Sequence, residues 1–114
     1  MNGAGPPEFS IATEPRDDAL LVTLAGELDL ANADDVESAV LDAVAGGRRV
    51  VLDLRQLDFM DSSGVRVLVA AHAAAEEGGG RFTIVRPPPG GAVSRVLEIS
   101  GLEGILELVD SADV

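Results

Sequence analysis

The chain has 114 residues, which suits one compact domain, and 46% of them are hydrophobic, which is enough to form a core. The formal net charge is −12, every basic residue is an arginine, and Phe9, Phe59 and Phe82 are the only aromatic residues. Such a surface repels phosphate backbones and offers no platform for stacking bases, so nucleic-acid binding is not expected. The absence of cysteine excludes disulfides, thiol catalysis and thiolate metal sites.

The first residues and the hydropathy of the chain bear on its location. Residues 1–7 lack both the basic and the apolar parts of a signal peptide. No apolar run approaches the length needed to cross a bilayer, so we expect a cytoplasmic protein without a membrane partner. The Gly and Pro residues of the segment 1–7 predict a flexible N-terminal tail, followed by a single domain over residues 8–114.

Alternating apolar and polar residues predict two strands at the start of the domain. The first covers residues 9–14 and the second covers residues 19–25, and the polar turn between them predicts an antiparallel hairpin. The motif Gly26-Glu27-Leu28-Asp29 is expected to form the exit from this hairpin.

A helix and a buried strand are predicted next. Asn32 is a good N-cap, the acidic residues at 34 and 35 suit the positive end of a helix dipole, and Gly46-Gly47 end the apolar stripe. The nearly continuous apolar run within residues 49–54 is typical of a strand that is covered on both faces.

The second half of the chain continues this alternation. Apolar spacing predicts a helix from the segment 61–64 to about residue 77, with Val65, Leu68, Val69, His72 and Ala73 on one face. A strand over 81–86, a helix ending at Gly101 and a strand over 104–109 complete the order. This order predicts an α/β fold with a mixed, mostly parallel β-sheet flanked by helices.

The sequence offers no catalytic apparatus. His72 is the only histidine and lies about 15 Å along the predicted helix from Ser62, too far to act as its base. The glycine-rich segments lack the spacing of phosphate-binding loops. Asp53, Asp58 and Asp61 could hold a divalent ion weakly, but solvated loop acids are the better interpretation. We therefore expect no enzyme, catalytic residue, metal or cofactor.

The segment Asp61-Ser62-Ser63-Gly64 joins the buried strand to the second helix. Asp61 or Ser62 can cap this helix, because each side chain has an oxygen that accepts a hydrogen bond from a free backbone N–H. Glycine in a first turn costs about 1 kcal/mol relative to alanine. Gly64 therefore indicates either a close approach by a partner or another backbone, or a packing constraint.

Three motifs carry a resemblance to a known family. Phe59-Met60-Asp61-Ser62-Ser63-Gly64 resembles the phosphorylation-site motif of bacterial anti-sigma factor antagonists, which are single STAS domains. Gly26-Glu27-Leu28-Asp29 and Ser100-Gly101-Leu102 match in the expected order, and the resemblance covers residues 8–110. Arg66 and the rigid loop 87–91 depart from the family pattern.

The resemblance implies a switch between binding partners. The unphosphorylated antagonist binds an anti-sigma factor that is also a serine kinase, and the sigma factor is released. The kinase then phosphorylates the first serine of the motif, here Ser62, the complex separates, and a serine phosphatase restores the antagonist. The residues expected to shape or contact the partner site are Glu27, Asp29, Asp58, Asp61, Ser63 and Gly64.

The alternative is a STAS domain that acts without phosphorylation. It would serve as a scaffold or a ligand-sensing interaction module, and Ser62 would then be only a helix cap.

Overall fold

The computed structural model of the chain describes residues 9–113. Within them, the elements in chain order are β1 (Ser10–Pro15), β2 (Ala19–Leu28), α1 (Ala33–Ala45), β3 (Arg49–Met60), α2 (Ser62–Gly78), β4 (Arg81–Val85), α3 (Ala92–Ile99) and β5 (Glu107–Val109). A short 3₁₀ helix, Leu102–Gly104, precedes β5. The predicted order and the α/β class are confirmed, whereas the expected tail over residues 1–7 lies outside the described residues.

The strands form one mixed sheet in the order β1-β2-β3-β4-β5. β1 is antiparallel to β2, and the three remaining pairs are parallel. The predicted hairpin and the mostly parallel sheet are thus both confirmed. Because β2 and β3 are parallel neighbours, their carboxyl ends meet at the same edge of the sheet.

The larger hydrophobic cluster lies between the helices and one face of the sheet, where side chains of alternate strand residues point. Each helix contributes its buried stripe to this cluster. Its members include Val36, Val40 and Val44 of α1, Leu68 and Ala71 of α2, Val93 and Leu97 of α3, and Val22, Leu24, Val50, Leu52 and Ile84 of the strands.

The opposite face of the sheet is also covered where β3 crosses it. Val51 is fully buried there in a small cluster with Leu21 and Val85, against which Val109 and Ala112 pack. Asp53 is buried on β3 as well, and its carboxylate accepts hydrogen bonds from the guanidinium of Arg55 at 2.7 to 3.2 Å. Burial raises the pKa of Asp53, but the bonds from Arg55 outweigh burial and the net shift is downward. The predicted burial of this strand on both faces is confirmed.

Two strands are longer than the sequence predicted. β3 carries two extra residues opposite β2, because the register shifts between Thr23 and Ala25 and again between Gly26 and Glu27. These bulges place Leu54, Leu57 and Met60 in the core at a spacing of three, which hides the period of two that marks a strand. Residues 26–28 therefore belong to β2 rather than to a hairpin exit.

The buried face of α2 also differs from the prediction. The structure buries Gly64, Val67, Leu68, Ala71 and Ala75, whereas Val69 is 47% exposed and Ala73 is exposed. Small apolar residues occur on every side of this helix, so the sequence allowed several stripes. The contacts made by Gly64, described below, select one of them.

Candidate binding site at the start of helix α2

Two of the predicted motifs lie side by side at the carboxyl ends of β2 and β3. Leu28 is the register partner of Met60, and the backbone N–H of Asp61 donates to the carbonyl oxygen of Leu28 at 3.2 Å. Glu27 and Asp29 therefore flank the same edge of the sheet as Asp61. Parallel pairing brings together residues that are more than thirty positions apart in the sequence.

Asp61 is the N-cap of α2, and Ser62 is its first helical residue. The Asp61 carboxylate accepts a hydrogen bond from the backbone N–H of Ser63 at 2.8 Å, and its carbonyl oxygen accepts from Gly64 and Val65. Of the two candidate caps, the structure selects Asp61. Ser62 is exposed, whereas Ser63 is half-buried, so the hydroxyl of Ser62 is the more accessible of the two.

Gly64 is buried in contact with the end of β3. A Cβ at this position would lie 2.2 Å from Cγ of Met60, 2.7 Å from its Sδ and 3.0 Å from Cδ2 of Leu28. These distances are far inside van der Waals contact, so glycine allows the first turn of α2 to pack on both strands. The sequence left two explanations open for Gly64, and packing accounts for it.

The loop after β2 is held by the side chains of Asn32 and Asp29. Oδ1 of Asn32 accepts from the backbone N–H of Asp29, and Oδ1 of Asp29 accepts from the N–H of Ala31, both at 3.0 Å. Nδ2 of Asn32 also donates to the carbonyl oxygen of Glu27 at 3.0 Å. Asn32 thus occupies the predicted N-cap position of α1, but its side chain orders the loop instead of capping the helix.

This ordered loop presents Leu30, whose side chain is 72% exposed. The sequence analysis did not single out this residue. Its signal was a leucine inside a polar turn, where a side chain of this size has no core to enter.

A shallow apolar groove of about 220 Å³ lies directly beside Ser62. It runs between the start of α2 and the end of α3, and it is lined by Met60, Asp61, Ser62, Val65, Val96, Ile99 and Ser100. Ile99 is 78% exposed at its rim. The sequence did not lead us to predict a role for Ile99 either. Its signal was an isoleucine that lies off the apolar stripe of α3 and is therefore left exposed. The predicted motif Ser100-Gly101-Leu102 therefore begins at this groove.

The remaining predicted residues are acidic and lie near the neighbouring carboxyl ends of β2 and β3. Glu27 and Asp58 are exposed, and Asp29 and Asp61 are half-buried. Asp58 lies on the second bulge of β3, where both it and Phe59 turn to solvent between the buried Leu57 and Met60. The site thus combines an accessible hydroxyl, an apolar groove and nearby carboxylates.

The arrangement does not assemble a nucleophile with a base. Ser62 and His72 lie ten residues apart on α2, which is about 15 Å along the axis. Nε2 of His72 is instead 3.3 Å from Oε1 of Glu76. Among residues 9–113, no three side chains of His, Cys, Asp or Glu are grouped to hold a metal ion. In the same part of the chain, no helix has the length and hydropathy of a membrane span.

Comparisons with known proteins identify the family of the chain. Residues 11–110 match the family model described as "Mlab, STAS domain". An anti-sigma F factor antagonist from Paenibacillus polymyxa is 34% identical over 107 residues, which covers 90% of this chain and 88% of that protein.

Solved structures show the same fold. An anti-sigma factor antagonist from Mycobacterium paratuberculosis superposes with a TM-score of 0.81 at 27% identity, covering 96% of this chain and 92% of that one. The Bacillus cell fate determinant SpoIIAA in its phosphorylated form superposes with a TM-score of 0.67 at 24% identity, covering 88% of this chain and 91% of that one. The chain therefore belongs to the STAS-domain family and is related over nearly its whole length to anti-sigma factor antagonists.

Proposed function

We propose that this protein is a cytoplasmic anti-sigma factor antagonist that is controlled by phosphorylation of Ser62. With Ser62 free, it binds an anti-sigma factor that is also a serine kinase, and the sigma factor is released. Phosphorylation of Ser62 by that kinase separates the pair, and a serine phosphatase reverses the modification. On this proposal the protein is a binding module and not an enzyme.

The observation that carries the proposal is the position of Ser62. Its side chain is exposed at the first helical residue of α2, between the Asp61 cap and an apolar groove. A kinase can reach such a hydroxyl without unfolding the domain. The half-buried Ser63, whose backbone N–H is bonded to Asp61, is less accessible.

The same position explains why a phosphate would act on binding rather than on folding. A phosphate adds about −1.5 to −2 charges near neutral pH, and the free N–H groups of a helix N-terminus favour an anion. The domain is therefore expected to remain folded. The partner, however, would meet additional charge beside Asp58 and Asp61, together with a larger and more strongly hydrated group.

The partner surface that fits this site follows from its composition. The groove and the exposed side chains of Leu30 and Ile99 supply apolar area, and Glu27, Asp29 and Asp58 supply carboxylates near the neighbouring ends of β2 and β3. We expect the kinase to offer apolar side chains at the centre and basic groups at the periphery. Gly64 is buried, so its contribution is to hold Ser62 in place and not to contact the partner.

Binding of the purified protein to each serine-kinase anti-sigma factor of its native cell tests the proposal. Ser62→Ala should retain binding without becoming phosphorylated, and Ser62→Asp should weaken binding. A loss of about 3 kcal/mol would correspond to more than a hundredfold in Kd. Ser38, exposed on α1, provides the matched controls Ser38→Ala and Ser38→Asp, which should behave like the wild type.

Two results would contradict the switch. Equal affinities of wild type, Ser62→Ala and Ser62→Asp would show that charge at this position does not control binding. Phosphopeptide mapping that finds no phosphate on Ser62, although a kinase binds, would favour the scaffold alternative.

A further inference from the structure

A second and larger cleft lies away from Ser62, beside Arg55 in the middle of β3 and at the carboxyl ends of β4 and β5. Its volume is about 610 Å³, which is within the range of pockets for small molecules. The cleft shares α3 with the groove beside Ser62, but the two have no lining residue in common. The family motifs do not contribute to it.

The cleft lies where β4 ends and its neighbour β3 continues without a partner on that side. The register of β3 with β4 ends at Asp53 opposite Val85, whereas β3 continues to Met60. After β4 the chain turns away through Pro87-Pro88-Pro89 and enters α3, which forms one wall. Because proline fixes φ, the segment 87–89 is stiff and loses little conformational entropy when a ligand binds.

Two guanidinium groups line the cleft. Arg55 is held by the buried Asp53, which accepts from Nε and Nη2, and its side chain is 50% exposed. The carboxylate of Asp113 also attracts this guanidinium but forms no hydrogen bond with it, so a ligand carboxylate can take its place on Nη1. Nε of Arg86 lies 3.0 Å from Oδ1 of Asp110, whose side chain is 90% exposed. An ion pair this exposed is weak, so a ligand carboxylate can replace Asp110 on Arg86.

The rest of the lining sets the class of ligand. Leu97, Leu108 and the three prolines supply apolar contact, and Ser94 supplies a hydroxyl. Glu103 and Asp110 also line the cleft, and their repulsion grows with the charge of the ligand, so a single carboxylate is disfavoured less than a polyanion. We propose that this cleft binds a small monocarboxylate with an apolar body, its carboxylate on Arg55 and Arg86 and its chain against Leu97 and Leu108. The proposal is independent of phosphorylation at Ser62.

Titration of the full-length ¹⁵N-labelled protein with octanoate tests the proposal by NMR. Saturable shifts should be confined to the amides around Arg55, Arg86, Ser94, Leu97 and Leu108. Octanol keeps the apolar chain without the charge, and inorganic phosphate carries charge without the chain. Each of these two probes should bind at least about tenfold more weakly than octanoate.

Three variants separate specific binding from general attraction. Arg86→Gln should raise the Kd for octanoate about tenfold, because it removes one charge-assisted contact. Ser94→Trp should fill the cleft and abolish the shifts, with the amide spectrum as the check that the domain remains folded. Arg48→Gln removes the same charge at an exposed position away from the cleft and should leave the Kd unchanged.

Several outcomes would overturn the proposal. Shifts that do not saturate, or that centre on the groove beside Ser62, would mean that the cleft is not the site. Equal effects of Arg86→Gln and Arg48→Gln, or equal binding of octanol and octanoate, would show that no carboxylate is recognised there.

Discussion

Gly64 and Met60 are packed so closely that a single added carbon on Gly64 would lie 2.2 Å from Cγ of Met60. This contact joins the first turn of α2 to the last residue of β3, on either side of the Asp61 cap. It therefore determines both the position of Ser62 and the face of α2 that enters the core.

Replacement of Gly64 by alanine should destabilise the protein through this contact. The new Cβ would force Met60 and Leu28 to move, and overpacking of this kind costs about 1–3 kcal/mol of unfolding free energy. Urea denaturation of both proteins measures the difference. Gly104→Ala is the matched control, because a Cβ there would have no neighbour within 4 Å. An unchanged or raised stability of Gly64→Ala would contradict the packing explanation.

Leu30 and Ile99 should contribute to partner binding and not to folding. Both side chains are more than 70% exposed, so Leu30→Ser and Ile99→Ser should leave the unfolding free energy nearly unchanged. If they anchor the proposed interface, each should weaken binding to the anti-sigma factor by about 2 kcal/mol. Ile105→Ser is the control, since Ile105 is 58% exposed but lines another cleft. Equal losses from all three variants would argue against an interface centred on Ser62.

Arg66 should stabilise the dianionic form of a phosphate on Ser62. It is exposed on α2 four residues after Ser62, a spacing at which helix side chains meet. A nearby cation favours the more highly charged form, so Arg66→Gln should raise the second pKa of the phosphate. Phosphorus NMR of the phosphorylated proteins over a pH series measures this pKa. The prediction fails if Arg66→Gln and Arg48→Gln titrate alike.

Glu107 should contribute to stability in a way that depends on pH. Hydrogen bonds from Arg81 and Thr83 lower the pKa of its carboxyl from 4.5 to about 2. The folded state therefore binds this proton less readily than the unfolded state, and the contribution is complete above about pH 4.5 and declines as the pH falls through about 2.

Glu107→Gln should accordingly lower the urea midpoint near neutral pH, and the difference from wild type should shrink as the pH falls. Glu98→Gln, the same change at an exposed position of α3, provides the control. A difference that stays constant from neutral to acidic pH would show that the carboxylate of Glu107 is not responsible.

Local sequence patterns predicted the elements but not all of their limits. The order of strands and helices follows from periodicity and from the glycines between elements. The extension of β3 to Met60 could not be predicted, because its two bulges convert alternation into a spacing of three. The face of α2 could not be predicted either, because its apolar residues occur on all sides, and only the contact of Gly64 with β3 distinguishes between them.

The sequence by itself determined the α/β class, the mixed sheet, the motif around Ser62 and the choice of Asp61 or Ser62 as a cap. These properties depend on residues that are close together in the chain, so local chemistry is enough to predict them. The tertiary structure decided which residue caps α2, that Glu27 and Asp29 lie beside Asp61, and that an apolar groove with Ile99 adjoins Ser62. The last two relationships join residues that are distant in the chain, and they depend on strand register and core packing, which a single sequence pattern does not encode. The cap is a local contact, but Asp61 and Ser62 are both suited to it, and only the point at which α2 begins distinguishes them.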